Sequence, residues 1–214
     1  MATIRDRGAE QGDRRMRRTQ AALRRTLIEL ARQRSLSQIS VADVAEQANV
    51  GRSTFYDHYR DVHELAEAAC TAMIDELIDA IPRHAVAADG SSEAPPDNLL
   101  IFFTHFAEHA DLYRSLLGPQ GSARLIDHVR RCATVATYIS AHQAAGGDGP
   151  DHTTDIPHDV PSAFTAGALL GVAIDWLQRG CPRPPDEMAT MTRPLLMALY
   201  QSDDRASPSA RVTT

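Results

Sequence analysis

A group of hydrogen-bond donors and small hydroxyls between residues 52 and 60 contains the residue types best suited to chemistry in this sequence. Its members, with one serine upstream, are Ser40, Arg52, Ser53, Thr54, Tyr56, His58, Tyr59 and Arg60. Guanidinium, hydroxyl and imidazole groups bind phosphate oxygens and the base edges of a major groove. The group is therefore predicted to contact double-stranded DNA.

A catalytic arrangement is not evident beside these donors. The sequence has no Gly-rich phosphate loop, no G-x-S-x-G motif and no carboxylate pair with an evident partner. A Ser/His/Asp set can be picked from any chain of this size, so choosing one would carry little information. The sequence predicts neither an enzyme nor a bound cofactor.

A short helix is predicted immediately before the donors. Its apolar residues recur at i, i+3, i+4 and i+7, which places them on one helix face. They are Val41, Val44, Ala45 and Ala48. Ser40 precedes this run and can cap the helix. Asp43 stands three residues later, where its carboxylate can complete a capping box with Ser40 and interact favourably with the positive end of the helix dipole.

A sharp turn and a second short helix are predicted to follow. Asn49 and Gly51 tolerate positive φ at little steric cost, so three residues suffice for the turn. The second helix is predicted from Arg52 to about Tyr59. Phe55 and Tyr59 can face the first helix, which leaves the other donors turned outward.

The turn, the aromatic pair and the following leucine agree in order and spacing with a known pattern. The residues concerned are Val44-Ala45, Ala48, Val50, Ser53-Thr54-Phe55-Tyr56, His58-Tyr59 and Leu65. They resemble the DNA-binding domain of the tetracycline-repressor (TetR/AcrR) family of transcriptional regulators, over roughly residues 15 to 66. The resemblance implies a dimeric regulator that binds a palindromic operator and responds to a small molecule.

Three positions depart from the family pattern. Asn49 replaces the usual glycine before the turn valine, and Gly51 replaces the usual capping serine, so the turn is retained but a side-chain cap is lost. Val62 stands where the family commonly has a phosphate-binding lysine. Arg60 is the nearest substitute for that contact.

Charge is distributed unevenly along the chain. Residues 1–60 carry a net charge of +5 and residues 61–214 a net charge of −11, which gives −6 for the whole chain. An acidic protein with one basic end is predicted to bind nucleic acid through that end only, although a merely solvated charge run is the alternative. Arg14, Arg15, Arg17 and Arg18 at this end could reach phosphates or an adjacent minor groove.

Helical periodicity dominates the whole chain, so the fold class is predicted to be all-α. A three-helix helix-turn-helix domain is joined by a long helix to a helical ligand-binding and dimerisation domain. The predicted divisions are a disordered arm over 1–14, the DNA-binding domain over 15–61, the C-terminal domain over 62–201 and a disordered tail over 202–214. The first helix is predicted over about 15–34, the long helix over about 62–81, loops over 83–96 and 146–161, and a central apolar helix over about 97–110.

The predicted central helix carries His105 and His109 at a spacing, i and i+4, that can hold a metal ion. The sequence fixes no third ligand, although four other histidines could fold near, so no metal site is predicted. The two histidines are assigned instead to a mostly apolar pocket for a small-molecule effector, with a purely structural role as the alternative. The residues assigned to this pocket are Phe103, His105, Phe106, His109, Tyr113, Tyr138 and Trp176.

Small residues on the penultimate predicted helix lie beside a leucine ridge. They are Ala166, Gly167, Ala168, Gly171 and Ala173, with Leu169, Leu170, Ile174 and Leu177 next to them and Met188, Met191, Leu195, Leu196 and Leu199 on the last helix. Such surfaces let helices approach closely, and they predict a symmetric four-helix homodimer interface. Burial within one chain is the alternative.

Taken together, these features predict a cytoplasmic, ligand-responsive transcriptional regulator, a homodimeric repressor released from its operator by a small molecule. The alternative is a helical small-molecule- or metal-handling enzyme with a vestigial DNA-binding head. No membrane partner is predicted, because the chain has neither ~18 consecutive apolar residues nor a signal peptide. The three cysteines are interpreted as reduced packing residues, with a redox sensor as the alternative.

Overall fold

The computed structural model describes residues 4–80, 97–144 and 158–206. Within these ranges the chain forms α-helices and one short 3-10 helix and contains no strand, which confirms the predicted all-α class. The predicted loop 83–96, most of the predicted loop 146–161 and the end of the predicted tail lie outside the described residues.

The described helices follow one another in a simple order. They are α1 (Ile4–Ala31), α2 (Val41–Gln47), α3 (Arg52–Tyr56), α4 (Val62–Ala80), α5 (Asn98–Glu108), α6 (Ala110–Leu117), α7 (Ala123–Ala144), α8 (Val160–Gln178) and α9 (Pro185–Ala206), with the 3-10 helix Leu36–Gln38 between α1 and α2. The chain divides into two compact units. The first unit is the chain up to Met73 together with His109–Leu125, and the second is Ile74–Glu108 together with the chain from Ile126 onward.

The first unit has an apolar core to which α1, α2, α3, the start of α4 and α6 all contribute. In this unit α1 contacts α2, α2 contacts α3, and α6 packs on the 3-10 helix. Its fully buried large side chains are Leu23, Leu27, Val44, Phe55, Leu65, Cys70, Tyr113 and Leu125. Because burial of each such side chain contributes about 1.5–3 kcal/mol, this core fixes the short helices α2 and α3, which would not be stable alone.

The second unit is built around α5, which packs against both α8 and α9. Its fully buried side chains include Phe103, Phe106 and Leu177. The Thr137 hydroxyl on α7 donates to the Ser162 carbonyl on α8 over 3.2 Å. A side-chain hydrogen bond therefore links α7 to α8.

Among the described residues, α8 is the one helix long and apolar enough to cross a membrane by length and composition. It packs on α5 and α9 and buries Leu169, Leu170 and Ala173, while Asp175 on its other face is exposed. The apolar composition of α8 is thus accounted for by its contacts inside the second unit, as expected for a core helix.

Two helices extend beyond their predicted limits. α1 begins at Ile4 and not near Arg15, so residues 4–14, predicted to be part of a disordered arm, continue the helix. Their Arg, Glu, Gln and Ala residues favour helix despite two glycines, and Asp13 pairs with Arg17 at 2.6 Å over an i, i+4 spacing. α9 likewise continues to Ala206, into the segment predicted to be a disordered tail.

The two units do not divide at the predicted boundary between residues 61 and 62. The first turns of α4 bury Val62, Leu65 and Ala66, and α6 adds Leu112 and other side chains to the same core. The pattern of α4 reveals that it is amphipathic but not which core it completes, because that depends on packing with α6, far along the chain.

Candidate DNA-contacting surface and effector region

A capping box fixes the start of α2, as predicted. The Asp43 backbone N–H donates to the Ser40 hydroxyl oxygen at 3.2 Å, and the Ser40 backbone N–H donates to the Asp43 carboxylate at 2.8 Å. Hydrogen bonds from the Ser40 side chain and backbone, helped by Arg34, lower the pKa of Asp43 to about 2. Since the folded-state pKa is depressed, this stabilisation is present at neutral pH and is lost as the pH falls through about 2.

The turn after α2 is a Schellman motif centred on Asn49. The residue has φ 54°, the left-handed conformation in which Asn and Gly are tolerated best. The Val50 N–H donates to the Ala45 carbonyl at 2.9 Å, and the Asn49 N–H donates to the Glu46 carbonyl at 3.1 Å. Asn49 therefore performs the turn-forming role for which the family pattern uses glycine.

Gly51 precedes α3 in an extended conformation, with φ −68° and ψ 150°, and supplies no side-chain cap. A Cβ added there would lie 3.6 Å from the Ser53 Oγ and 3.7 Å from the Thr54 Oγ1, which are ordinary contact distances. Neither its conformation nor its surroundings require glycine. The cap is thus missing because glycine has no side chain, and the backbone at this position would accept a residue that has one.

α3 has only five residues, and its sides differ sharply in exposure. Phe55 is fully buried, whereas Arg52, Ser53 and Tyr56 are exposed and Thr54 is half-buried. The Tyr56 ring is 59% exposed and meets the Phe55 ring edge-on at 5.6 Å, so a core residue supports its orientation. The donors on α3 form an outward-facing polar surface, as the spacing predicted.

Tyr59 does not belong to this exposed surface, although it was predicted among the DNA contacts. α3 ends at Tyr56 and not near Tyr59, and the Tyr59 side chain is only 7% exposed, 6.1 Å from the Phe55 ring. Burial raises the pKa of the Tyr59 hydroxyl. The apolar ring completes the core beneath α3, which also leaves His58 beside it half-buried.

The link from α3 to α4 presents Arg60 to solvent, with its side chain 80% exposed. The Glu64 N–H donates to the Asp61 carboxylate at 2.8 Å, and the Arg60 N–H donates to the Glu64 carboxylate at 2.7 Å, so both carboxylates cap the start of α4. Val62 is 8% exposed and cannot replace the missing lysine. Arg60 is the cation of this link, and its guanidinium pairs with Asp61 at 3.5 Å.

The four predicted phosphate-contacting arginines at the basic end lie on α1. Arg14, Arg15, Arg17 and Arg18 are all exposed there, and Arg17 pairs with Asp13. Arg15, Arg17 and Arg18 fall within the predicted first helix, and Arg14, which was assigned to the disordered arm, is helical too. The helix therefore sets the position of each guanidinium group.

Four of the seven predicted effector residues lie in one part of the second unit. The Phe103 and Trp176 rings meet edge-on at 5.7 Å, and the Trp176 indole N–H donates to the Arg183 carbonyl at 3.0 Å. Phe106 is fully buried, and His105 is half-buried with its ring edge-on to Phe106 at 5.7 Å. The aromatic group is core packing in this state, and His105 is its more accessible polar neighbour.

The other three predicted effector residues lie on other elements. Tyr138 on α7 of the second unit is 9% exposed, and its ring lies 4.0 Å from that of His142. His109 and Tyr113 belong to the first unit, where Tyr113 is fully buried and burial raises the pKa of its hydroxyl. Tyr113 is thus part of the first core, and its assignment to an effector pocket stays a prediction.

The predicted helical spacing of His105 and His109 is not realised. α5 ends at Glu108, and His109 precedes α6 with φ −126° and ψ 30°. The two histidines therefore do not share one helix face, and the geometry that suggested a metal site from them is absent.

A different group of metal-ligand residue types is present in the second unit. Asp75 on α4 and His128 and Cys132 on α7 bring a carboxylate oxygen, an imidazole nitrogen and a thiol sulfur within 4.8 Å of one another. The cluster cannot be read from the sequence, because Asp75 lies more than fifty residues from the other two. The i, i+4 spacing of His128 and Cys132 was the one local signal for it.

The predicted dimer surface divides into a buried half and an exposed half. Ala166, Ala173 and the leucines beside them are buried within the chain. This half of the surface therefore belongs to the core of one chain, which was the alternative interpretation. Gly167 and Gly171 are exposed, and a Cβ added at either would have no neighbour within 4 Å. Large apolar side chains more than half exposed on these two helices are Val160, Phe164, Met191, Leu195 and Met197.

These features define a helix-turn-helix DNA-binding regulator with a separate helical unit. The family model "Bacterial regulatory proteins, tetR family" matches residues 23–69, and the model "Transcriptional regulator C-terminal region" of the same family matches residues 93–198. The chain belongs to the TetR family of bacterial transcriptional regulators. These matches do not favour the alternative of an enzyme with a vestigial DNA-binding head.

Relatives and solved structures agree with this assignment. An uncharacterised helix-turn-helix regulator of Bacillus subtilis, YxbF, is 35% identical over 71 residues, which cover 33% of this chain and 19% of that protein. A TetR-family regulator from Streptomyces coelicolor has TM-score 0.60 at 21% identity, covering 88% of this chain and 85% of its own. The dihydroxyacetone kinase operon activator DhaS has TM-score 0.58 at 18% identity, covering 84% and 94%. At these identities the structural similarity concerns the fold.

Proposed function

We propose that the chain is a homodimeric repressor that binds a palindromic operator through α3 and releases it when a small molecule binds the second unit. The observation that carries the DNA-binding part is the exposed polar surface of α3 above a buried Phe55. The residues assigned to DNA contact are Ser40, Arg52, Ser53, Thr54, Tyr56, His58 and Arg60.

These residues divide by the kind of contact that they can make. Arg52 and Thr54 begin α3 and are assigned to base edges, whereas Tyr56, His58 and Arg60 lie later and are assigned to phosphates. The Ser40 hydroxyl accepts from the Asp43 N–H and donates to the Asp43 carboxylate at 2.7 Å, so its main contribution is to hold α2 in place.

A second copy of this chain is the proposed partner of the exposed apolar residues on α8 and α9. Dimers are typical of the family, and a twofold dimer presents two reading helices to half-sites about 34–36 Å apart. Val160, Phe164, Met191 and Leu195 supply the apolar contact, and Gly167 and Gly171 allow close approach of the helices.

The effector region is proposed around α5 in the second unit. Its aromatic residues and the half-buried His105 suit a flat or aromatic compound better than a highly charged one. Repression relieved by the effector is the family's usual logic. The Dietzia protein AlkX, a neighbour by fold at 17% identity and TM-score 0.55, covering 85% of this chain and 95% of its own, is a repressor by name, whereas DhaS is an activator.

The test is salt-dependent binding of the purified protein to DNA from upstream of its own coding sequence. We expect one fragment to bind far more tightly than a scrambled fragment of equal length and composition. We also expect log affinity to fall linearly with log salt concentration over about 50–200 mM, because phosphate contacts release counterions. Equal binding of both fragments at every salt concentration would contradict operator recognition, and a reporter gene behind the fragment distinguishes repression from activation.

A further inference from the structure

Asp75, His128 and Cys132 form a cluster of metal-ligand types that the proposed DNA and effector sites do not use. The His128 Nε2 lies 2.8 Å from the Asp75 Oδ1 and 3.5 Å from the Cys132 Sγ, and the Cys132 Sγ lies 3.9 Å from the Asp75 Oδ1. All three residues belong to the second unit, with Asp75 on α4 and the other two on successive turns of α7.

Two of the three distances are close to those of a tetrahedral metal site, and the third, between His128 Nε2 and Asp75 Oδ1, is that of a hydrogen bond. With Zn–S of about 2.3 Å, Zn–N of about 2.05 Å and Zn–O of about 2.1 Å, tetrahedral angles place S and N about 3.6 Å apart, S and O about 3.6 Å apart, and N and O about 3.4 Å apart. The observed pairs differ from these values by at most about 0.6 Å. A rotation of the half-exposed Asp75 side chain alone can supply most of that adjustment, because the S–N distance already fits.

We propose that Asp75, His128 and Cys132 bind a divalent transition-metal ion of the Zn²⁺ class. The fourth position of the tetrahedron remains for a water molecule or for a small exogenous ligand, as in zinc sites with three protein ligands. The mixture of one sulfur, one nitrogen and one oxygen excludes Mg²⁺ and Ca²⁺ as the preferred ion, since these take oxygen ligands.

Charge and access are compatible with a bound cation. The His128 side chain is 21% exposed and that of Asp75 is 55% exposed, so an ion can reach the donors from solvent. The Arg131 guanidinium, whose charge acts on Cys132, is engaged by Asp127 at 3.3 Å. An Asp carboxylate and a Cys thiolate together match the two positive charges of the ion.

The convergence of three different donors, and not the chemistry of one thiol, carries the proposal. The other two members of the cluster are Asp75 and His128, so Cys132 has no second thiol within the cluster with which to form a disulfide. A metal ion displaces the thiol proton when it binds, and the carboxylate and the imidazole supply the remaining affinity.

The experiment titrates the full-length, metal-stripped protein with Zn²⁺ by calorimetry and with Co²⁺ by absorbance. We expect one ion per chain and a near-ultraviolet charge-transfer band from Co²⁺–thiolate coordination. C132S should abolish the band and weaken Zn²⁺ binding roughly tenfold or more, and D75N and H128A should also weaken binding. The matched control is C181S, since Cys181 is likewise a half-buried cysteine that forms no disulfide but lies outside the cluster.

Several results would overturn the proposal. They are an absence of stoichiometric Zn²⁺ binding, a Co²⁺ spectrum without the thiolate band, or loss of the band in C181S and not in C132S. Far-ultraviolet circular dichroism checks that each variant is folded, and D75N alters a half-exposed side chain and preserves its shape. The proposal does not rest on operator binding, because every readout is of the metal and none is of DNA.

Discussion

Arg52 and Tyr56 lie one helical turn apart on the exposed surface of α3, and their chemistry assigns them different parts of the DNA. A guanidinium forms paired hydrogen bonds to a guanine edge, whereas a tyrosine hydroxyl binds a phosphate oxygen, which is the same for every sequence. Arg52 should therefore determine the sequence specificity of binding, and Tyr56 should contribute to the affinity for DNA of any sequence.

The variants R52A and Y56F test this division. R52A should cost about 1–3 kcal/mol on the operator and relax the preference at one base position, because a base contact is lost. Y56F should weaken operator and non-operator DNA alike, because it removes only the hydroxyl. Affinities for the operator and for a set of single-base variants are measured at fixed salt concentration.

The control for R52A is R179A, which removes an exposed arginine at the end of α8, where it pairs with Asp175. R179A should leave both affinities unchanged. If R52A weakens every DNA sequence equally, Arg52 contacts the backbone and the assigned orientation of α3 is incorrect.

The helix-turn-helix owes its shape to the turn between α2 and α3, which depends on the left-handed conformation of Asn49. The variant N49A should lower the stability of the protein by about 1–2 kcal/mol, because alanine pays the steric cost of positive φ. N49G should match or exceed the wild type, since glycine adopts this conformation freely. Thermal unfolding followed by far-ultraviolet circular dichroism measures both variants under one set of conditions.

Equal unfolding midpoints for N49A and N49G would show that the positive φ of Asn49 contributes nothing to stability. The operator affinity of N49G is the second readout. It should equal that of the wild type, because the Schellman hydrogen bonds to Glu46 and Ala45 are made by backbone groups and are retained.

The elements that could be predicted from the sequence are those fixed by nearby residues. The Ser40–Asp43 cap, the Asn49 turn and the Asp61–Glu64 cap involve hydrogen bonds between residues at most five positions apart. The exposed face of α3 follows from the same local register. Each of these signals is readable because its physical cause is contained in a short window.

The features that could not be predicted depend on packing between distant segments. The sequence does not show that α6 contributes Tyr113 and Leu112 to the core of the first unit. It also does not show the approach of Asp75 on α4 to His128 on α7. Periodicity identifies a helix and its apolar face, but not the element that covers that face.

At the scale of the whole molecule, operator binding should depend on dimerisation through α8 and α9. The variant G171L should give a folded monomer, because an added Cβ meets no atom of the described residues within 4 Å but would obstruct close approach of a second copy. Operator affinity should fall with the dimer, since one reading helix engages only one half-site. Sedimentation or light scattering measures the mass, and circular dichroism the fold.

The matched control for G171L is A123L, which adds the same kind of bulk to an exposed position at the start of α7. A123L should remain dimeric and bind the operator as the wild type does. A folded and dimeric G171L protein would place the interface on another surface.

The proposed effector response requires coupling between the two units, and thermodynamic linkage makes that coupling measurable in both directions. Trp176 is the single tryptophan of the chain, and its ring is packed edge-on against Phe103, so occupation of the region around α5 should quench or shift its fluorescence. If a compound found in this way lowers operator affinity by some factor, saturating operator must lower the affinity for that compound by the same factor.

H105A should weaken the fluorescence response and leave operator affinity without the compound unchanged, because His105 lies beside the aromatic group and not on α3. A compound that alters Trp176 fluorescence but leaves operator affinity unchanged would bind without regulating, and an unfolded H105A protein would make His105 a structural residue of α5.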